Sequence, residues 1–521
     1  MLGIGIRAWL VASRDFPLND GGMFYLMADE IGRAHFRLPM FTAYNAANIP
    51  FAYSPLSFYL AAGLAAVTPL SLVDTFRLIP LVCTSLTVWA FVLLARPFLP
   101  SRATLVAAVV AFATVPRSFM WLIMGGGLSR SLGFLFAMLA IHQAHLMYTR
   151  RKRGDVALTT LWCALTLVSH LGTAPFAAFS IALFFLFYGR HRFGVVASLI
   201  VIAGALALSA PWWGLILARH GIGPFLAANA TGGSIFSDNG TRTQVLSELA
   251  HFGVGTAEPL FPIIGTLALL GVIVSLTPQR VILPLWWLEI VTLDARAGST
   301  YSTIPVSMLA AIAFTEVLIP LLRRPWEGNG LRTPSVQRWM PVAVSVVVAG
   351  YCTLSAVMRD PGVATEGRYL NSLGPLERGA MEWVARSTPS DARFLVVTGS
   401  VTGGWYADRT QEWFPVLARR KSVATPQGLE WLPGRVFERM EEKYDDVQLG
   451  CVRQDPLPSC LERWSGQTGI TFDHIYIPKI PRQPCCTGIR ESLASDSTWR
   501  ELYDGPGAAV FVRATGVVAS R

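Results

Sequence analysis

Ser54-Pro55-Leu56-Ser57-Phe58-Tyr59-Leu60-Ala61-Ala62-Gly63-Leu64-Ala65-Ala66-Val67 decides how the rest of the chain is arranged. The stretch is apolar and uncharged, yet Pro55 and Pro69 bracket it. It is well short of the roughly 20 residues that a helix needs to cross a bilayer. If it crosses, every basic loop after it changes side. If it lies along the interface, with Tyr53, Phe58 and Tyr59 as aromatic anchors, those loops all stay on one side.

The surroundings favour the interfacial reading. Of 521 residues, 52% are hydrophobic and only 15% charged, where a soluble chain carries about 25% charged residues. Mean hydropathy is +0.45. Eleven apolar segments read as spans: 1–13, 77–94, 103–120, 128–147, 156–170, 175–188, 194–218, 259–276, 281–293, 302–322 and 339–358. Basic residues cluster at Arg96/Arg102, Arg150-Arg151-Lys152-Arg153, Arg190-His191-Arg192, Arg280 and Arg323-Arg324. Successive clusters lie two spans apart, so all are cytoplasmic together when 54–67 does not cross. The net charge of +10 is thus spent on orienting the chain in the lipid bilayer, and nucleic acid is not an expected partner.

That orientation sets the domain plan. An α-helical polytopic membrane domain of about 11 helices is expected over 1–358, with a large first external loop over 14–76. The N-terminus is expected in the cytoplasm. An extracytoplasmic mixed α/β domain follows over 359–521. In it, 374–387 has helical apolar spacing, and 392–398, 472–477 and 508–512 read as strands. Cys451, Cys460, Cys485 and Cys486 all fall in this tail, where an oxidising compartment would allow disulfides, for example Cys451–Cys460. A metal site competes with that reading, although C-x-x-C spacing is missing; no metal ligand is assigned, and a divalent cation stays open as a cofactor.

The chemistry is expected in Asn19-Asp20-Gly21-Gly22, just after the first span. A carboxylate beside a membrane is costly and is kept for function or pairing. The bland alternative is a turn, or an N-cap for the helix that begins near Met23. Asp29 and Glu30 on that helix are secondary acidic candidates. Gly125-Gly126-Gly127, Arg130, His170, Asp294 and Arg296 fall in the other external loops; the two Arg side chains and the glycine amides suit an anion, with pairing of Arg296 to Asp294 as the bland alternative.

A short first span, an acidic motif opening the outer loop, the Tyr53-Ser54-Pro55-Leu56-Ser57-Phe58-Tyr59 segment and the Asp74-x-x-Arg77 pair together resemble the GT-C superfamily over about residues 1–358. These membrane glycosyltransferases use polyprenyl-phosphate-linked sugars; protein O-mannosyltransferases, aminoarabinose transferases and oligosaccharyltransferases are examples. The resemblance implies an inverting transferase at the outer face of the plasma membrane, with a polyprenyl-phosphate sugar as donor. Its acceptor would be a glycan, lipid or protein. Asp20 would be the catalytic base, and Arg130, Arg296, His170, Asp294 and the Gly125–Gly127 amides would surround the leaving phosphate.

Two departures bear on the acceptor. Many members carry Asp-Glu at the first motif, where this chain has Asp20-Gly21. The oligosaccharyltransferase Trp-Trp-Asp motif has only a loose echo in Gly404-Trp405-Tyr406-Ala407-Asp408, which argues against N-glycan transfer. The competing reading is a non-catalytic scaffold or glycan-binding assembly protein on the same fold. A transporter is disfavoured, because no pair of broken spans repeats between two halves.

Overall fold

In the computed structural model, residues 1–14, 19–231, 243, 255–293, 297–323, 334–358, 370, 373–399, 404–453, 457–479 and 485–514 are described. The chain starts with α1 (Leu2–Ala12), α2 (Gly22–Arg33), α3 (Leu56–Val67), α4 (Leu72–Ala95), α5 (Arg102–Thr114) and α6 (Gly127–Arg150). It continues with α7 (Arg153–Ser169), α8 (Ala174–Phe184) and α9 (Arg192–His220). A short hairpin, β1 (Phe41–Thr42) and β2 (Ile49–Pro50), separates α2 from α3.

Among the described residues, six helices are long and apolar enough to cross a membrane: 72–98, 127–150, 171–189, 192–220, 298–323 and 339–358. The other expected spans fold as shorter helices: α1, α5, Ile263–Val274 and Ile282–Leu293, with α7 at 17 residues. Among the described residues, six of the eleven expected spans therefore meet the length of a bilayer as single apolar helices. Proline accounts for the case of α5. Val115 takes an extended backbone ahead of Pro116 and ends the helix, so the last residues of the expected span 103–120 leave the helix and 119–126 folds back as turns.

Chain direction separates the two ends of the bundle. From Gly127, α6 runs about 35 Å to Arg150, at 1.5 Å per residue. The basic run 150–153 therefore lies a membrane thickness from the glycine loop. Then α7 returns to His170, the next helix descends to Arg190, and α9 climbs back to His220. α3 begins at the glycine-loop end, where Ser57 Oγ lies 2.6 Å from Ser129 Oγ and Ser54 Oγ donates to the Leu167 carbonyl at 2.9 Å. A few residues beyond α3, Arg77 on α4 donates to the carbonyls of Val11 and Arg14, both at 2.7 Å. α4 thus starts level with the C-terminal end of α1.

The bundle core is aromatic and small-residue. Phe91 stacks on Phe112 with centroids 4.4 Å apart, and Phe176 on Tyr301 at 4.4 Å. Arg7 is fully buried, which demands partners. It donates to the carbonyls of Gly3 and Ala113, both at 2.8 Å, and lies over the Phe119 ring at 4.3 Å. That set of contacts ties α1 to α5 and to the turns that follow it.

The tail folds around a five-stranded mixed sheet, β4 (Lys421–Ser422), β3 (Arg393–Val396), β5 (His474–Pro478), β7 (Ala508–Arg513) and β6 (Trp499–Asp504), in that order. β3 is parallel to both β4 and β5, and β7 is antiparallel to β5 and β6. The helix expected over 374–387 is Pro375–Ser387. The strands expected at 392–398, 472–477 and 508–512 are β3, β5 and β7, while the two edge strands, β4 and β6, were not anticipated. A further helix, Arg409–Leu417, joins β3 to β4.

Cys451 and Cys460 form a disulfide, closing a sequence separation of 9 residues beside β5. The side chains of Cys485 and Cys486 lie outside the described residues. Loop-closure entropy for so short a ring is worth roughly 2–3 kcal/mol. The double change Cys451→Ser/Cys460→Ser should lower the stability of the tail by about that amount. Pulse proteolysis of the full chain over a urea series measures it, and reductant should bring the unsubstituted protein to the same midpoint.

Candidate active site at the Asp20 loop

Asp20 lies where three distant segments touch. Its loop precedes α2, with Asn19 at φ 69 and Gly21 at φ 112, conformations that Asn and Gly adopt at least cost. Steric limits then force glycine at several points. A Cβ on Gly21 would stand 2.8 Å from the Gly125 carbonyl carbon, and one on Gly22 would stand 2.8 Å from the Glu412 carbonyl oxygen. A Cβ on Gly126 would stand 2.6 Å from Asp20 Oδ2, and one on Gly125 would overlap the Asp20 carbonyl oxygen. Gly127 is needed for a different reason: its Cβ would strike the Leu122 carbonyl.

The carboxylate itself faces α6. Asp20 Oδ1 accepts from the Gly126 amide at 2.8 Å, and Oδ2 accepts from Arg130 Nη2 at 2.9 Å. Arg130 lies over the Trp121 ring at 4.3 Å, an attraction of about 0.5–2 kcal/mol that also fixes the guanidinium. The side chains of Asp20 and Arg130 keep 18% and 14% exposure. The pair is enclosed but still reachable.

Asp20 does not cap its own helix. The N-cap of α2 is Gly21, which has no side chain to offer, and a helix start leaves amides unsatisfied. Glu412, 391 residues away in sequence, fills the gap: its Oε1 accepts from Gly21 N at 2.7 Å and from Gly22 N at 3.0 Å. Arg409 holds the other oxygen of Glu412 at 3.0 Å. The same helix is fixed by Tyr44, whose hydroxyl donates to the Glu412 carbonyl at 2.7 Å, and by Trp413 Nε1 on the Asn19 carbonyl at 3.0 Å. Asn45 and the backbone of Ser422 add two reciprocal bonds of 2.8 Å.

Burial pushes the Asp20 carboxyl up, but the charges of Arg130 and Arg409 and the Gly126 amide outweigh it, so the group is held below the ordinary carboxylate range. Glu412 moves the other way. Burial, with Asp20 as a neighbouring negative charge, raises it despite Arg409. Two carboxylates and two guanidiniums balance in charge at this junction. Among the described residues no group of three or more His, Cys, Asp or Glu gathers as a metal site.

Of the other expected site residues, Gly125, Gly126 and Arg130 meet Asp20, while Gly127 packs on the Leu122 backbone. His170 packs on Gly133, one turn along α6 from Arg130, where a Cβ on Gly133 would stand 2.7 Å from the His170 Cβ. Its Nδ1 is 2.8 Å from Thr173 Oγ1, which is 3.0 Å from the Tyr301 hydroxyl. Asp29 pairs with Arg33 at 2.7 Å on α2, and Glu30 accepts from the Ala43 amide at 2.6 Å. Both acids are thus engaged locally. Asp294 and Arg296 lie outside the described residues. Asp408 is buried as the N-cap of Arg409–Leu417, accepting from Gln411 N at 3.0 Å and the Tyr444 hydroxyl at 2.8 Å. The echo of Trp-Trp-Asp is therefore a helix cap. Sequence reasoning missed Glu412, Arg409, Tyr44 and Trp413; an Arg and a Glu three apart read as an ordinary solvated pair.

No family model and no curated protein matches the chain by sequence. Solved structures match its fold along nearly the whole length. ArnT from Cupriavidus metallidurans, bound to undecaprenyl phosphate, aligns with a TM-score of 0.54 and 12% identity over 100% of this chain and 98% of its own. The archaeal oligosaccharyltransferase AglB from Archaeoglobus fulgidus, in complex with an inhibitory peptide and a dolichol-phosphate, aligns at 0.54 and 13% identity over 91% of this chain and 68% of its own. The mycobacterial arabinofuranosyltransferase AftD aligns at 0.54 and 15% identity over 98% of this chain and 41% of its own. All three are GT-C glycosyltransferases, and the chain has their fold.

The glycine contacts make a graded prediction. Gly125→Ala drives a methyl into the Asp20 backbone, which cannot yield, whereas at Gly379 there is open space. Gly125→Ala should cost about 1–3 kcal/mol or more, and Gly379→Ala should cost nothing measurable. Thermal unfolding of the two variants in the same detergent compares them directly.

Proposed function

We propose that the chain is a membrane glycosyltransferase that moves a sugar from a polyprenyl-phosphate-linked donor to an acceptor at the outer face of the cytoplasmic membrane. The observation that carries this reading is the Asp20 carboxylate, held between Arg130 and the N-terminus of α6. It sits at the end of the bundle opposite the basic loops, in a fold shared from end to end with a transferase that binds undecaprenyl phosphate. The positive-inside rule puts the basic loops in the cytoplasm and so puts Asp20 outside.

The reaction is a single displacement with inversion. The acceptor oxygen bonds to the anomeric carbon, the bond from that carbon to the phosphate oxygen breaks, polyprenyl phosphate departs with the electron pair, and Asp20 takes the acceptor proton. A carboxylate held below its ordinary range is a weak base towards a resting hydroxyl. It suffices here, because the transition state is oxocarbenium-like and the acceptor oxygen turns acidic only as its new bond forms. The nearest anion-binding elements are Arg130 and the start of α6. Asp20 occupies them in the resting chain; a donor phosphate sharing them loosens their hold on the carboxylate and raises its basicity.

One observation favours the scaffold alternative: both Asp20 oxygens are already hydrogen bonded. Each carboxylate oxygen has two lone pairs, however, so the bonds that fix the group leave it able to accept a proton.

Two measurements separate the readings. Asp20→Asn keeps the shape and removes the base, and should cut release of undecaprenyl phosphate from a panel of its sugar conjugates by about 10²–10⁴-fold, with binding of undecaprenyl phosphate intact. Undiminished turnover in that variant would remove Asp20 from the chemistry. Arg130→Ala should instead weaken binding of undecaprenyl phosphate by roughly 10–100-fold, the range for a lost charged hydrogen bond, as read by fluorescence titration in nanodiscs.

A further inference from the structure

We propose that Glu412 is a positioning residue for Asp20: by capping α2 from the far end of the chain, it releases Asp20 from that task and leaves the carboxylate facing Arg130 and the start of α6. The inference deepens the transferase reading and rests on it for the word "base", but its geometric part does not.

An acidic residue placed just before a helix ordinarily folds back on the first free amides of that helix. Asp20, directly before Gly21 and α2, is such a residue, and those amides would be its easiest partners. They are taken. Glu412 Oε1 accepts from both Gly21 and Gly22 and is backed by Arg409, and the carbonyl of the same residue is fixed by Tyr44. Asp20 therefore turns to the Gly126 amide, which belongs to the start of a different helix, and to Arg130.

Three details say the arrangement is built rather than incidental. Glu412 is only 5% exposed, a placement that a glutamate tolerates when its charge is fully engaged. Gly22 must lack a side chain for the 412 backbone to approach, and Trp413 anchors the other side of the loop through the Asn19 carbonyl. The contact thus spans residues 19–22 on one side and 409–413 on the other.

Removing Glu412 leaves the two amides unpartnered with an aspartate beside them, and Asp20 is drawn away from Gly126 and Arg130 towards them as an incomplete substitute that cannot restore their protection. In the full chain in nanodiscs, Glu412→Ala should speed amide hydrogen exchange in peptides covering residues 19–26 by roughly 10–100-fold. It should also lower kcat with undecaprenyl-phosphate-linked sugar while leaving its KM in place. Glu412→Gln keeps an acceptor oxygen and should recover most of the protection and part of kcat, a rescue that a general loss of folding cannot produce. Unchanged exchange over 19–26 in Glu412→Ala overturns the capping role whether or not sugar is transferred. Faster exchange with unaltered kcat overturns the positioning role. Inactivity of the unsubstituted protein with every sugar conjugate overturns the transferase reading alone, since the exchange measurement needs no turnover.

Discussion

The close approach of three backbones at Asp20 is the constraint on which the rest depends. Residues 20–22, 125–127 and 412 touch so closely that a methyl group has no room at four of the positions. Through this junction the N-terminal helices, the membrane bundle and the C-terminal sheet meet at one point. Glycines cost conformational entropy when ordered, so a cluster of them is kept only where backbone contact demands it. Here the contact sets the heading of a single carboxylate.

The charges at the junction contribute geometry more than stability. Desolvating two carboxylates and two guanidiniums consumes most of what their attraction returns. Removing any one, by contrast, leaves an enclosed charge without compensation, and the arrangement becomes all-or-none. The aromatic support follows the same logic. Trp121 beneath Arg130 restricts a guanidinium that would otherwise have many rotamers, and Trp413 fixes the Asn19 backbone by donating to its carbonyl.

How much of this was legible in the sequence depended on whether the signal was local. The Asp20 loop, the three glycines and Arg130 could be singled out because charge and glycine are conspicuous between apolar segments. The hydrophobic segments gave helices where expected, but not their lengths: Pro116 stops α5 and sends 119–126 back towards Asp20, a turn that mean hydropathy cannot register. In the tail, β3, β5 and β7 announced themselves as apolar β-branched runs. The two-residue β4 and the polar edge strand β6, Trp-Arg-Glu-Leu-Tyr-Asp, did not. Glu412 was invisible for a stronger reason. Its partners are backbone amides 390 and 391 residues away, and no local pattern of side chains encodes a contact to someone else's backbone.

That last point changes how the acidic residues of this chain are understood. Asp408 caps the helix it precedes; Asp20 and Glu412 cap helices that belong to other segments. The helix dipole makes each such N-terminus an attractive place for negative charge, so an exchange of caps couples the orientation of one element to the position of another. Asp20 reports on where α6 lies, and α2 reports on where the helix Arg409–Leu417 lies. A displacement of the tail by an ångström would then reach the carboxylate through the Glu412 side chain and its two hydrogen bonds. The tail therefore touches the Asp20 loop directly, through Glu412 and Trp413.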